Sequence, residues 1–118
     1  MTGGVDNIKN KLLSYSLRLV SKKRYTVAEM TSKLFLYLEK RGFEDEGAVG
    51  DTLARLGEFG YLDDGKFAAD YVSLRVHLSP RGKFVLRREL KKKGISKDLA
   101  QKALDEAKID ELEIAKGL

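Results

Sequence analysis

An all-α fold built of tandem three-helix repeats, drawn out into an elongated and curved helical array, is what this sequence predicts. Three observations predict it. Apolar residues recur at three-to-four spacing through almost the whole chain, the period of amphipathic helices. No run alternates β-branched with polar residues, and no Asn-Gly or Asp-Gly hairpin joins two such runs. Two blocks also echo one another about 52 residues apart: Thr26…Leu38-Glu39-Lys40-Arg41-Gly42-Phe43-Glu44 and Ser79…Leu90-Lys91-Lys92-Lys93-Gly94-Ile95-Ser96. Each reads cap, helix, Leu, charged, basic, basic, Gly, apolar, cap. Such self-similarity marks stacked supersecondary units, which bury their apolar faces on one another.

The elements follow in order. Residues 1–7 are short, polar and Gly-rich, and are expected to be a flexible arm. Ile8, Leu12, Tyr15 and Leu19 form the stripe of a first helix, widened by Leu13, Leu17 and Val20, which ends in Lys22-Lys23-Arg24. Cations at that end suit the helix dipole. Thr26 and Glu29 have capping-box spacing, with Tyr25 and Met30 at the staple positions. Met30, Leu34 and Leu38 are the stripe of the second helix. Its extra Phe35, Leu36 and Tyr37 require burial on two sides or an apolar surface for a partner. Glu44, Asp45 and Glu46 open a third helix with stripe Val49, Leu53, Leu56 and Phe59, closed by Gly60.

Asp63 caps a fourth helix, and Phe67, Tyr71, Leu74 and Leu78 are its expected stripe. For the fifth, Ser79 is the expected N-cap, Pro80 the first helical residue and Gly94 the left-handed stop. Ser96 caps a sixth, lined by Leu99, Ala103, Leu104 and Ala107; Asp110 could cap a seventh. The expected division is therefore an arm at 1–7, one repeat at 8–60, a second at 61–108, and the start of a truncated third at 109–118.

Charge is patterned in blocks. The chain carries 23 Lys and Arg against 18 Asp and Glu, a formal charge of +5. Residues 9–24 hold six cations and no acid, residues 39–66 hold eight acids and four cations, and residues 75–93 hold eight cations and one acid, Glu89. Blocks of this kind give separate positive and negative faces, and a basic balance points to an anionic partner. The lack of cysteine excludes disulfides and thiolate metal sites and suits a reducing cytoplasm. No apolar run approaches 18 residues, and no signal-peptide pattern opens the chain.

Catalytic signatures are missing from the sequence. His77 is the one histidine, and no nucleophile elbow accompanies it. Gly82-Lys83 lacks the rest of a phosphate-binding loop. Asp63 and Asp64 read as a cap and a first-turn acid rather than a metal pair. No catalytic residue, metal site or cofactor is expected. On a helix, Lys83, Arg87 and Lys91 share one row, Arg81, Arg88 and Lys92 a second, and Leu86 and Leu90 mark the buried side with Val85 flanking. These cations fit phosphate contacts or an acidic protein groove. The stretch has no Asn or Gln to read base edges, so any DNA binding should be weakly sequence-specific.

Several blocks together resemble the RecX family of recombination regulators: Gly60-Tyr61-Leu62-Asp63-Asp64, Phe67-Ala68, Arg75, Ser79-Pro80, and Arg88-Glu89-Leu90…Lys93-Gly94-Ile95-Ser96. Tyr25…Glu29, Leu34 and the Arg41-Gly42-Phe43 turn add to it, so the resemblance runs from about Ile8 to Ala107. It implies a non-enzymatic regulator, usually of three repeats, that binds RecA within the groove of its filament on single-stranded DNA. It also implies inhibition of the recombinase, ATPase and co-protease activities of RecA, and thus a role in DNA repair and the SOS response. The expected contacts to RecA or DNA are Lys22, Lys23, Arg24, Arg75, Arg81, Lys83, Arg87, Arg88, Lys91, Lys92 and Lys93. Tyr61, Leu62, Asp63, Asp64 and Phe67 carry the family motif. A cytoplasmic monomer is expected. The alternative is a stand-alone DNA-binding module of low sequence specificity, with residues 63–78 and 80–93 acting as a helix-turn-helix pair.

Overall fold

The computed structural model describes residues 3–78 and 82–107. The expectations attached to Ser79, Pro80 and Arg81, to the side chain of His77 and to Asp110 onward lie outside the described residues. Six helices make up the fold: α1 (Gly3–Val20), α2 (Val27–Lys40), α3 (Glu46–Glu58), α4 (Asp64–Leu78), α5 (Lys83–Lys92) and α6 (Lys97–Glu106). No strand occurs among the described residues. The chain divides into two compact units, Met1–Asp63 and Asp64–Leu118.

In the first unit, α1, α2 and α3 pack pairwise around Ile8, Leu12, Met30, Leu34, Leu38, Val49 and Leu56. Helical backbone begins at Gly3, so α1 takes in residues 3–7, which the sequence placed in a flexible arm. Ser16 occupies a core position on α1, its hydroxyl satisfied by donating to the Leu13 carbonyl at 2.8 Å. The capping box of α2 is complete: the Glu29 N–H donates to Thr26 Oγ1 at 3.1 Å, and the Thr26 N–H donates to Glu29 Oε1 at 3.0 Å. Tyr25 and Met30 join the same core on either side of it. Because Thr26 is itself buried, Thr26→Ala both strips a cap and leaves the Glu29 N–H without that acceptor. The expected cost is about 1–2 kcal/mol of first-unit stability, read by urea denaturation.

Asp45 caps α3 by accepting the Ala48 N–H at 2.9 Å, and Ser96 caps α6 by accepting that of Leu99 at 3.3 Å. Three helices end in one geometry. Gly42, Gly60 and Gly94 take φ of +73°, +82° and +83°. The N–H one residue beyond each glycine donates back to the carbonyl of Leu38, Leu56 and Leu90 at 2.9–3.0 Å. Each glycine N–H also closes a bond of 3.0–3.1 Å, to Glu39, Gly57 and Lys91. This is the left-handed stop that glycine adopts without steric penalty.

Three expectations about faces change. Phe59 is not part of the α3 stripe; it is the C-cap residue, 52% exposed, set edge-on to Tyr61 at 6.3 Å, and Thr52 with Ala48 takes the buried place. On α4 the fully buried residues are Ala68 and Val72, with Phe67 and Tyr71 flanking and Leu74 54% exposed. The reason is the partner: α4 packs on α6, whose core residues are Ala100, Ala103 and Leu104. Small side chains on both helices allow a close approach that two aromatics would prevent. Lastly, the helix that stops at Gly94 starts at Lys83, with extended Gly82 (φ −69°, ψ 160°) as its N-cap. Its buried residues are Leu86 and Leu90, and Gly82 is a poor helix former in an interior but an accepted N-cap. Of the two alternatives for α2, Phe35 and Leu36 take the surface one and are exposed, while Tyr37 is half-buried against Tyr15 with ring centroids 4.6 Å apart.

Candidate functional site

The cations of α5 are oriented by Leu86 and Leu90, which are fully buried against α6 in the core of the second unit. With that side pinned, Arg88, Lys91 and Lys92 are exposed, and Lys83, Arg87 and Lys93 are half-buried. Their partners differ in kind. Arg87 donates from Nη2 to Gln101 Oε1 at 2.9 Å, and Gln101 Nε2 donates to Asp105 Oδ1 at 2.8 Å. Arg88 lies over the exposed Phe84 ring at 5.7 Å.

Glu89 is the one acid of α5. Its Oε2 accepts the Tyr71 hydroxyl proton from α4 at 2.8 Å. Tyr71 stacks on Phe67 (6.1 Å, 12°) and stands under two cations, Arg75 at 4.8 Å and Lys93 at 5.7 Å. Arg75 is thus half-buried against a ring, with its Nε buried and making no hydrogen bond. Burial pushes the Tyr71 hydroxyl above its ordinary pKa of 10.0, and the hydrogen bond to Glu89 adds to the rise. The folded state therefore favours the protonated phenol. That contribution is complete below the unfolded value and is lost as pH climbs through the raised folded one. Tyr71→Phe should cost about 1 kcal/mol near neutral pH and flatten the loss of second-unit stability above pH 10, as followed by thermal unfolding against pH.

The same scaffold positions carry other chemistry in the first unit. Leu38 and Leu90 hold equivalent places before their glycine stops, which sets Tyr37 opposite Glu89 and Arg41 opposite Lys93 in the repeat. Tyr15 and Tyr71 each stand three residues beyond a fully buried residue, Leu12 or Ala68. In the first unit the pair is ring on ring, with Arg41 over Tyr37 at 3.7 Å; in the second it is a hydroxyl on a carboxylate, with Lys93 over Tyr71. The basic surface is a specialisation of one repeat.

The other expected residues divide as follows. Lys22, Lys23 and Arg24 are exposed just beyond α1, in the first unit, with Lys23 over the Tyr25 ring at 4.7 Å. They share no helix with the α5 cations, and Arg81 lies outside the described residues. Leu62 is buried in the first core, Asp63 directly precedes α4, Asp64 sits in its first turn, and Phe67 flanks the second core. Tyr61 follows a glycine stop and is half exposed. Sequence reasoning missed Gln101. Its i,i+4 spacing to Asp105 is a legible helical pair, whereas its bond to Arg87 joins residues 14 apart and has no periodic signal. No group of His, Cys, Asp or Glu able to hold a metal occurs among the described residues, and no described helix is long and apolar enough to cross a membrane.

Comparison with known proteins matches this architecture. The family model for "RecX, second three-helix domain" matches residues 63–104, the stretch that forms α4, α5 and α6. The regulatory protein RecX of Chlorobium phaeobacteroides (strain BS1) is 35% identical over 101 residues, 86% of this chain and 64% of that protein. The regulatory protein RecX of Legionella pneumophila (strain Corby) is 33% identical over 98 residues, 83% of this chain and 61% of that protein. The crystal structure of RecX from Lactobacillus salivarius superposes with a TM-score of 0.75 over 84% of this chain and 61% of that one; at 24% identity this speaks to the fold alone. A second crystal structure, of regulatory protein RecX, gives a TM-score of 0.70 at 26% identity over 84% and 46% of the two chains. The chain spans less than two thirds of the length of each of these proteins. Helical repeats with matching turns, a family model seated on the second unit, and identity running across both units lead to one conclusion: the chain belongs to the RecX family.

Proposed function

We propose that this chain is a regulator that binds RecA in the groove of its filament on single-stranded DNA. There it inhibits the recombinase, ATPase and co-protease activities of RecA, modulating DNA repair and the SOS response. It acts in the cytoplasm, as a monomer and without a catalytic site of its own. The observation that carries the reading is the α5 surface. Its one acid accepts from Tyr71, and Arg88, Lys91 and Lys92 are exposed, turned away from the core by the buried Leu86 and Leu90. A RecA filament offers acidic protein surface and phosphate together, and a cationic helix on a rigid three-helix unit suits both.

The test is RecA-catalysed ATP hydrolysis on single-stranded DNA, with and without this chain. Inhibition at stoichiometric amounts is expected, and full activity would refute the reading. DNA binding that leaves RecA activity untouched would instead favour a stand-alone DNA-binding module, with α4 and α5 as its helix pair.

A further inference from the structure

Between α5 and α6 lies a cavity of about 440 Å³ lined by Arg87, Lys91, Ile95, Lys97 and Ala100. Its composition is one-sided. Three cations converge on it from two helices, no acid lines it, and its apolar part is the buried pair Ile95 and Ala100. Like charges brought around one concavity repel, and a low-dielectric floor strengthens that repulsion, unless an anion enters. The Arg87 guanidinium is also held in place. Gln101 accepts from its Nη2 and is itself tied to Asp105, so one edge of the planar fork is occupied and the rest is free for an incoming oxyanion. Lys97 is the first residue of α6, where the dipole adds positive potential; Asp98, the acid of that turn, does not line the cavity.

We propose that this cavity is a phosphodiester-binding site for single-stranded nucleic acid, in which Arg87, Lys91 and Lys97 hold the backbone anion and Gln101, backed by Asp105, positions the Arg87 guanidinium. The row Lys83, Arg87, Lys91 on α5 leads into the cavity, and Lys97 extends it onto α6. Four cations with no intervening acid suit a polyanion of regular charge better than an acidic protein segment, whose carboxylates alternate with side chains that need apolar contact. An oxyanion between Arg87 and Lys97 relieves the repulsion, and the sugar of the strand finds Ile95 and Ala100 below. The kind of anion rests on the proposed function; the site and its residues do not.

The test measures binding of a fluorescein-labelled oligothymidylate to the full chain by anisotropy, at several salt concentrations and without RecA. Lys97→Gln, at an exposed position, should weaken binding about fivefold and lower the log–log salt slope by about one, the signature of one lost phosphate contact. Lys91→Gln should do the same. Gln101→Ala should weaken binding about threefold with the slope unchanged, since it misplaces a charge without removing one. Lys102→Gln, on α6 outside the cavity and paired with Glu106, should leave both quantities unchanged. Wild-type affinity and slope in both Lys97→Gln and Lys91→Gln would overturn the proposal. So would no binding by the unaltered chain, or displacement of the oligonucleotide by poly-glutamate as effectively as by unlabelled oligothymidylate. Oligonucleotide binding with no RecA inhibition would sink only the regulatory reading, and RecA inhibition with no oligonucleotide binding would sink only this site.

Discussion

Leu90→Ala should cost the second unit about 3 kcal/mol and unfold much of it at ambient temperature. Leu90 is fully buried, and truncating such a leucine loses both its transfer free energy and the contacts around the cavity it leaves. It also stands where α5 meets its glycine stop. The Ile95 N–H closes onto the Leu90 carbonyl at 3.0 Å, and both side chains belong to the second core. That core is thin, since three of its eight buried members are alanines, Ala68, Ala100 and Ala103. A unit of this size has few kcal/mol to lose. The first unit has its own core of larger residues and should keep its helices. Urea denaturation followed by circular dichroism should therefore split into an early transition that carries α4, α5 and α6 and a later one that carries the rest. RecA inhibition should fall with the first, although no cation has been touched. A single unshifted transition would show that Leu90 does not hold α5 in place.

Reversing three charges at once, Arg87→Glu, Arg88→Glu and Lys91→Glu, should abolish RecA inhibition while leaving the helix content unchanged. The triple variant changes the charge of α5 by six units and makes a cationic helix acidic. None of the three side chains is in the core. The structural penalties are small. Acids near the C-terminal end of α5 oppose its dipole by a few tenths of a kcal/mol each, and loss of the Arg87–Gln101 bond costs about 1 kcal/mol. Complementary surfaces become repulsive, which costs an interface several kcal/mol and slows encounter. ATPase assays on single-stranded DNA with circular dichroism of the same preparation separate the two effects. Unchanged inhibition would mean that the α5 cations are only a solvated face. Arg75, held against the Tyr71 ring, is left out of the set because its reversal would break the unit instead of testing the surface.

Much of the fold is legible in the sequence wherever the chemistry is local. A cap is decided by residues three apart, so Thr26 with Glu29 and Ser96 could be read directly, whereas among the three acids that open α3 the repeat pattern marks Glu44 and the cap is Asp45. A left-handed stop is decided by one glycine, so Gly42, Gly60 and Gly94 could be read as well. The candidate site is legible only as a list of cations. Which of them face outward, and which are pinned, follows from bonds between residues 14 and 18 apart, Arg87 to Gln101 and Tyr71 to Glu89, for which no spacing rule exists.

By itself, then, the amino-acid sequence determined an all-helical chain, the ends of most of its helices, the repeat and the block of positive charge, because each rests on propensity, capping or charge within a few turns. Tertiary structure alone decided that α4 buries Ala68 and Val72 and leaves Leu74 outside, and that α5 begins at Lys83. It also decided that the lone acid of α5 accepts from Tyr71 of α4. The reason is that a helix has several faces apolar enough to bury. The choice among them is made by the shape of the helix it packs on, which here is lined with alanine.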